Sequence, residues 1–372
     1  GAQCFGQLRE LDDFDPSGLV RFHTLEEAEA KREELIRFIW KNGLPTEVLP
    51  TADERIDSEV FRGDLTGING RLASSTDRLD ATVAPYDFHS ILYLIHPVQE
   101  NANSQRLVIV HSGHRQGVRI GEGVNDAVNR LLQDGFHVLI ADMPLVGWNS
   151  DASVRLPESK TDIQIDQRGT AGHNSLFQQL APPVLPDGEV FRFFLEPIVQ
   201  GVNHFLKTQP NAGDVSMLGL SGGGWTTHVS AAVDVRIRRS FPVAGAYPLY
   251  ARRLARGSWG DAEQVYAPLY GESDANEDGI TDTATGVASW LEIFALGGIG
   301  RDRQQIQILN FEDSCCFSTE AYKSYDHFLG QLVNHIGYGS WHVHSDRTHQ
   351  SHIISTPVLN EVIIPAIGAD QQ

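Results

Sequence analysis

The sequence predicts an α/β fold: one mostly parallel, doubly wound sheet with an N-terminal helical arm and loop or lid insertions. Two observations predict it. After residue 111, short apolar runs alternate with segments of helical periodicity, the order that builds strand–helix–strand units. A glycine-flanked serine, Ser221, also stands where an apolar run stops and a run of small residues begins. The chain has 372 residues, 41% of them hydrophobic, enough to fill one large core as a single domain over 1–372.

In chain order, residues 1–60 form a helical extension. Its helix spans 24–42, with Thr24 as cap, an apolar stripe of Leu25, Leu35, Ile36, Phe38, Ile39 and Trp40, and Gly43 just beyond. From about 60 to 111 the period changes to two. VFRGDLTGINGRLAS, TVAPYDFHSILYLIHP and RLVIVHSG read as strands between turns. Helices are expected at 123–135, 189–208, 222–234 and from about 355 to 367. Strands are expected at 136–144 and 214–220, and in RRSFPVAGA, QIQILNF and SWHVHSD. The stretches 149–188 and 246–300 fit neither period and are read as insertions near the cleft.

Composition excludes several classes. A net charge of −19 opposes nucleic acid as a partner, because phosphate binding needs a basic surface. No apolar run is long enough to span a membrane. Three cysteines are too few for a disulfide scaffold. Either all three thiols are reduced, or Cys4 bridges to Cys315 or Cys316 and ties down the N-terminal arm. A start at Gly1-Ala2-Gln3 fits either a mature form after cleavage or an artificial start; the first alternative carries the expectation of a secreted or periplasmic protein.

Gly219-Leu220-Ser221-Gly222-Gly223 is a GxSxG pentapeptide, weak alone but strong between a strand and a helix. The turn must be so tight that the serine backbone is strained and its neighbours are tiny. The hydroxyl then projects above the sheet, beside the free N–H groups of a helix start. A serine that merely caps a glycine-rich turn is the plainer alternative.

Through this turn the chain resembles the α/β-hydrolase superfamily over about residues 80–368. ADMPLVGWN (141–149), LSGGGWTTH (220–228), ILNFEDSCCF (308–317) and HQSHIIS (349–355) resemble phrases of secreted-type bacterial serine hydrolases. The resemblance implies ester hydrolysis, no organic cofactor, and the chain order serine, acid, histidine. The expected substrate is a small-molecule or polymer ester.

Three roles follow. Asp313, after the strand QIQILNF, is the candidate acid, with Glu312 as the alternative. Cys315 and Cys316 are poor nucleophiles, since no basic group adjoins them in sequence. The base comes from a run holding His335, His342, His344, His349 and His352. His342 and His344 share a face of a strand. His349 and His352 lie in the loop where the family's catalytic histidine sits, and His352, nearer the last helix, is preferred. A metal bound by these histidines is a rival, but they lack the HExxH spacing. For the oxyanion, the Gly222 amide is one donor. Gly113, in the loop His111-Ser112-Gly113-His114, is the candidate second.

Asp274, Asn276, Asp278, Ile280 and Asp282 match the front of a calcium loop, with Gly279 at the sharp turn. The twelfth position is Thr285, not an acid, so a structural calcium and a solvated acidic loop both remain open. Trp148 is a candidate cleft wall, and Trp225 and Trp290 core or cleft wall. Asp142 is read as a holder of backbone amides, while His173 and Phe177 carry no assigned role. Besides an esterase, the same machinery would suit a peptidase or amidase. A non-catalytic hydrolase fold used for binding is the reading from another class.

Overall fold

The runs LVIVH, HVLIA and VSMLGL are apolar at nearly every position, and as strands they are buried along their whole length. A strand buried on both faces needs helices above and below it. The chain supplies them between successive strands. The structure is a computed structural model; it describes residues 11, 14–53, 58–114, 122–252, 260–275, 277 and 281–368.

The main-sheet strands are β1 (Thr51–Asp53), β2 (Ala73–Val83), β3 (Phe88–Pro97), β4 (Leu107–His111) and β5 (His137–Ala141). After a small hairpin of β6 (Ala152–Leu156) and β7 (Thr161–Ile165) come β8 (Val215–Leu220) and β9 (Ile237–Val243). A second hairpin of β10 (Glu272–Ser273) and β11 (Thr283–Ala284) precedes β12 (Gln304–Asn310) and β13 (Ser340–Asp346). Spatial order is β1-β2-β3-β5-β4-β8-β9-β12-β13. From β5 to β13 every pairing is parallel, and β1 to β3 add an antiparallel edge.

The helices Val124–Gln133 and Thr356–Gly368 close one face over Val108, Val110, Phe241 and Ile308. The latter passes through a π-helical stretch at Leu359–Ile363. The opposite face carries the helices Arg192–Thr208, Gly222–Val233 and Trp290–Gly298.

The N-terminal helix is Leu25–Ile39. Thr24 and Glu27 form a reciprocal capping box at its start. Its Arg32 is buried and donates to the carbonyls of Ala232, Leu296 and Ile299, at the ends of two helices. Arg303 donates to the same Leu296 and Ile299 carbonyls, each at 2.8 Å.

Three elements differ from the sequence expectation. Residues 60–72 are 3-10 turns and bends, and the strand begins at Ala73. The glycines and Asn69 make turns there, and sustained alternation of burial starts only after Ser75. The expected strand TVAPYDFHSILYLIHP is split by a turn at residues 84–87 into the ends of β2 and β3. A helix at Asp326–Ile336, absent from the sequence reading, packs against β13. The insertion 149–188 contains the β6–β7 hairpin and a helix at Gly169–Leu180. The insertion 246–300 contains short helices, the β10–β11 hairpin and the capped helix Trp290–Gly298.

Candidate active site

Ser221, between β8 and the Gly222–Val233 helix, has φ 59° and ψ −120°, a conformation that costs a non-glycine residue free energy. It is over-determined by its surroundings. The Ser221 amide donates to Val243 O at 2.9 Å, and its carbonyl accepts from Trp225 N at 2.9 Å. A Cβ on Gly219 would lie 2.1 Å from Gly223 O, and one on Gly223 would lie 2.2 Å from His111 O. Only glycine lets strand, turn and helix approach this closely.

Because β8, β9, β12 and β13 run parallel, their C-terminal ends share one edge of the sheet. Asn310 and Asp346 are register partners at that edge. Asp313 follows Asn310 and is buried. Its Oδ1 accepts from the amides of Cys315 (2.7 Å) and Cys316 (3.0 Å), and its Oδ2 from Asn310 Nδ2 (3.0 Å). His352 Nδ1 lies 2.8 Å from Oδ2. Burial works against the Asp313 charge, but the His352 hydrogen bond, the charge of that ring and the two cysteine amides outweigh it and hold the carboxyl below its ordinary range.

An ionised carboxylate only accepts, so Nδ1 of His352 bears a hydrogen. Nε2, the ring nitrogen turned away from Asp313, is buried with no hydrogen-bond partner. Ser221 and His352 line the same pocket of about 210 Å³, together with Ser112, His114, Cys316 and Phe317.

The alternatives are engaged elsewhere. His349 Nε2 pairs with Asp346 Oδ2 at 3.1 Å. Glu312 is turned outward and accepts from Gln350 at 2.7 Å. His342 and His344 lie on β13, in register with Ile306 and Ile308. His335 sits in the last turn of the Asp326–Ile336 helix.

Gly113 has φ 79°, and a Cβ there would lie 2.5 Å from Leu220 O and 3.0 Å from Gly222 N. The loop after β4 therefore reaches the elbow through this glycine. The Gly113 amide itself donates to His111 Nδ1 at 3.2 Å, so it can serve an oxyanion only by leaving that ring. His114, the next residue, faces Gly222: a Cβ on Gly222 would lie 2.6 Å from His114 Nδ1.

Beside this pocket is a cluster the sequence gives no local sign of. His114 Nε2 meets Asp261, Glu263 Oε1 (3.2 Å) and His173 Nδ1 (3.1 Å). Burial opposes charge on the His114 ring, but the two carboxylates outweigh it and push its pKa up to about 10. The two acids are correspondingly held down by the rings, again against burial.

The cysteines and Trp148 depart from the sequence expectation. Cys315 and Cys316 are bonded to each other, which overturns both alternatives: these two thiols are not reduced, and neither is left for a bridge to Cys4. Cys4 lies outside the described residues. Trp148 does not line the pocket; it stands edge-on to Tyr93 at 5.2 Å and donates to Ile91 O at 2.8 Å. Trp225 and Trp290 are both core, joined through Tyr270. Asp142 accepts from the Ser112 hydroxyl. Phe177 is core. Of the calcium candidates, Asn276, Asp278 and Ile280, with Gly279, lie outside the described residues. Asp274 and Asp282 stand at the two ends of the β10–β11 turn, where Asp282 N donates to Ser273 O at 3.0 Å.

No helix among the described residues is long and apolar enough to cross a membrane. The structure is similar to acetyl xylan esterase 1 from Thermoanaerobacterium sp. JW/SL YS485, at 14% identity and a TM-score of 0.56, over 97% of this chain and 98% of that one. An acetyl xylan esterase from Paenibacillus sp. R4 gives 14% and 0.56, over 97% and 99%. Methylesterase BT1017 gives 14% and 0.59, over 99% of this chain and 68% of that one. At 14% identity the likeness is one of fold. No family model matches the sequence, and no curated protein matches it.

Proposed function

The chain has the α/β-hydrolase fold, and on it we propose a serine hydrolase that cleaves carboxylic esters through an acyl-enzyme. The observation that carries this reading is the buried Asp313–His352 pair, whose bare Nε2 shares a pocket with a strained Ser221. Ser221 Oγ attacks the ester carbonyl while its proton passes to His352 Nε2. Asp313 holds the ring in the required tautomer and stabilises the imidazolium that forms. The oxyanion accepts from the Gly222 amide and from a second donor at Gly113 or His114. Collapse breaks the carbon–oxygen bond, and the leaving alcohol takes the proton from His352. Water then repeats the sequence on the acyl-enzyme and frees Ser221.

A pocket of about 210 Å³ is small for a ligand site and supports a short acyl group, the rest of the ester remaining outside. The neighbours named for acetyl esters agree with a short acyl group. The test is labelling with a fluorophosphonate, followed by nitrophenyl esters of rising acyl length. One label on Ser221, and turnover falling from acetate to octanoate, is the expected result. No label, or label elsewhere, would sink the assignment.

A further inference from the structure

We propose that His114, His173, Asp261 and Glu263 form a binding site for a zinc-class divalent ion, beside the ester pocket. Four donor atoms converge there, one from each residue, all within 4.8 Å of one another. His114 Nε2 to His173 Nδ1 is 3.1 Å, His114 Nε2 to Glu263 Oε1 is 3.2 Å, and His173 Nδ1 to Glu263 Oε1 is 3.0 Å. His173 Nδ1 to Asp261 Oδ2 is 3.7 Å, and His114 Nε2 is in direct contact with that same oxygen. Metal–ligand bonds of about 2.0–2.1 Å give a tetrahedron with edges of about 3.3 Å. The observed separations scatter around that edge.

Hydrogen bonding alone accounts poorly for the arrangement. His173 Nε2 lies 2.7 Å from Pro144 O, a group that only accepts, so Nε2 bears the hydrogen and Nδ1 is the nitrogen turned to the cluster. Two carboxylates in this buried place call for two positive charges. If both rings were protonated, two N–H donors would face each other across 3.1 Å. A divalent ion supplies the same charge and instead accepts a lone pair from each ring. Glu263 adds an independent sign: it is fully buried, and its Oε2 has no hydrogen-bond partner. Pro144 O holding His173 is the kind of outer contact that fixes a ligating imidazole. Two nitrogens and two carboxylate oxygens, with His173, Asp261 and Glu263 buried, suit zinc better than calcium or magnesium.

The four ligands come from the loop after β4, the Gly169–Leu180 helix and the segment just after Gly260. An ion would therefore fasten both insertions to the loop that faces Gly222. Its role is structural: it fixes the His114 ring beside the elbow.

The test needs no ester. Protein stripped with dipicolinate is titrated with zinc chloride by calorimetry and with cobalt(II) by visible absorption. Its melting temperature is recorded with and without zinc. Expected are about one ion per chain, a higher melting temperature with zinc, and the intense visible bands of tetrahedral cobalt. Glu263→Gln and His173→Gln should each weaken binding by at least about tenfold and diminish those bands. Circular dichroism shows whether each variant is folded. A stripped wild-type protein that binds no zinc and melts identically with and without it overturns the proposal. So does binding that is unchanged in both folded variants.

Discussion

The strain at Ser221 is fixed by backbone contacts to Val243 and Trp225, none of which uses the hydroxyl. Ser221→Ala should therefore melt within about two degrees of the parent, while ester turnover falls roughly 10⁴-fold or more. Near-parental turnover in that variant would remove Ser221 from the chemistry. The two loop histidines separate in the same assay. His352→Ala should cost about as much as the serine change, because it removes the ring that Asp313 holds. His349→Ala should cost less than about tenfold, since that ring serves Asp346. Equal losses would mean that the loop, not one ring, carries the effect. The meeting of Asp313 with His352 is legible in the sequence, because residues just past parallel strands gather at one sheet edge. The His114–His173–Asp261–Glu263 cluster is not. It spans three distant segments, each without a motif, and only the folded insertions bring them together.

Among elements, the Gly222–Val233 helix is buried on every side, and it carries His228 in its interior. His228 Nδ1 is 3.0 Å from Gln305 Oε1, and its ring lies 4.4 Å from that of Phe294. Burial pushes this imidazole down to about 3, only partly offset by the Gln305 hydrogen bond. Between the ordinary value of 6.5 and about 3, the unfolded chain holds the extra proton. Stability from this group is thus complete above pH 6.5 and is lost as pH falls toward 3, by a few kcal/mol at most. His228→Phe keeps the stacking, and Trp341 still donates to Gln305 Oε1. Its denaturation midpoint should therefore fall less steeply with acid than that of the parent. Parallel pH profiles for the two proteins would contradict this.

The β10–β11 hairpin sets the ends of the acidic 274–282 turn side by side. If it takes calcium, the melting temperature should rise in about 1 mM calcium after EGTA treatment, but not in magnesium. Identical curves would leave a solvated loop. Elements dominated by one periodicity, such as β8 or Leu25–Ile39, are legible within about three residues at each end. Residues 60–72 are not, because their scattered apolar positions imitate a strand while Gly63, Gly67, Asn69 and Gly70 make turns. The Asp326–Ile336 helix does carry helical spacing in Leu329, Leu332, Val333 and Ile336, with Gly337 at φ 86° closing it. Its residues lie between the Cys315-Cys316 loop and the histidine-bearing β13, which draws the reading to the site residues on either side.

Over the whole molecule, the sheet order could be anticipated only as a class. Which strand neighbours which depends on contacts between distant segments that periodicity does not encode. The arginine anchor is such a contact. Arg32→Met would keep the apolar stem but leave buried carbonyls at two helix ends with fewer donors. We expect a loss on the order of 3 kcal/mol in urea denaturation, with little change in the KM of the folded enzyme. A loss below about 0.5 kcal/mol would mean that Arg303 alone suffices.

That anchor also has a consequence in time. The carbonyls that receive Arg32 lie 200, 264 and 267 residues further along the chain. During synthesis the first helix leaves the ribosome long before any of them exists. At about 5–20 residues per second, it waits on the order of ten seconds or more for its last partner. Through that interval a 15-residue amphipathic helix must stay soluble with its apolar stripe uncovered. Glu26, Glu27, Glu29, Glu33 and Glu34, set among those apolar positions, give it the charge to do so.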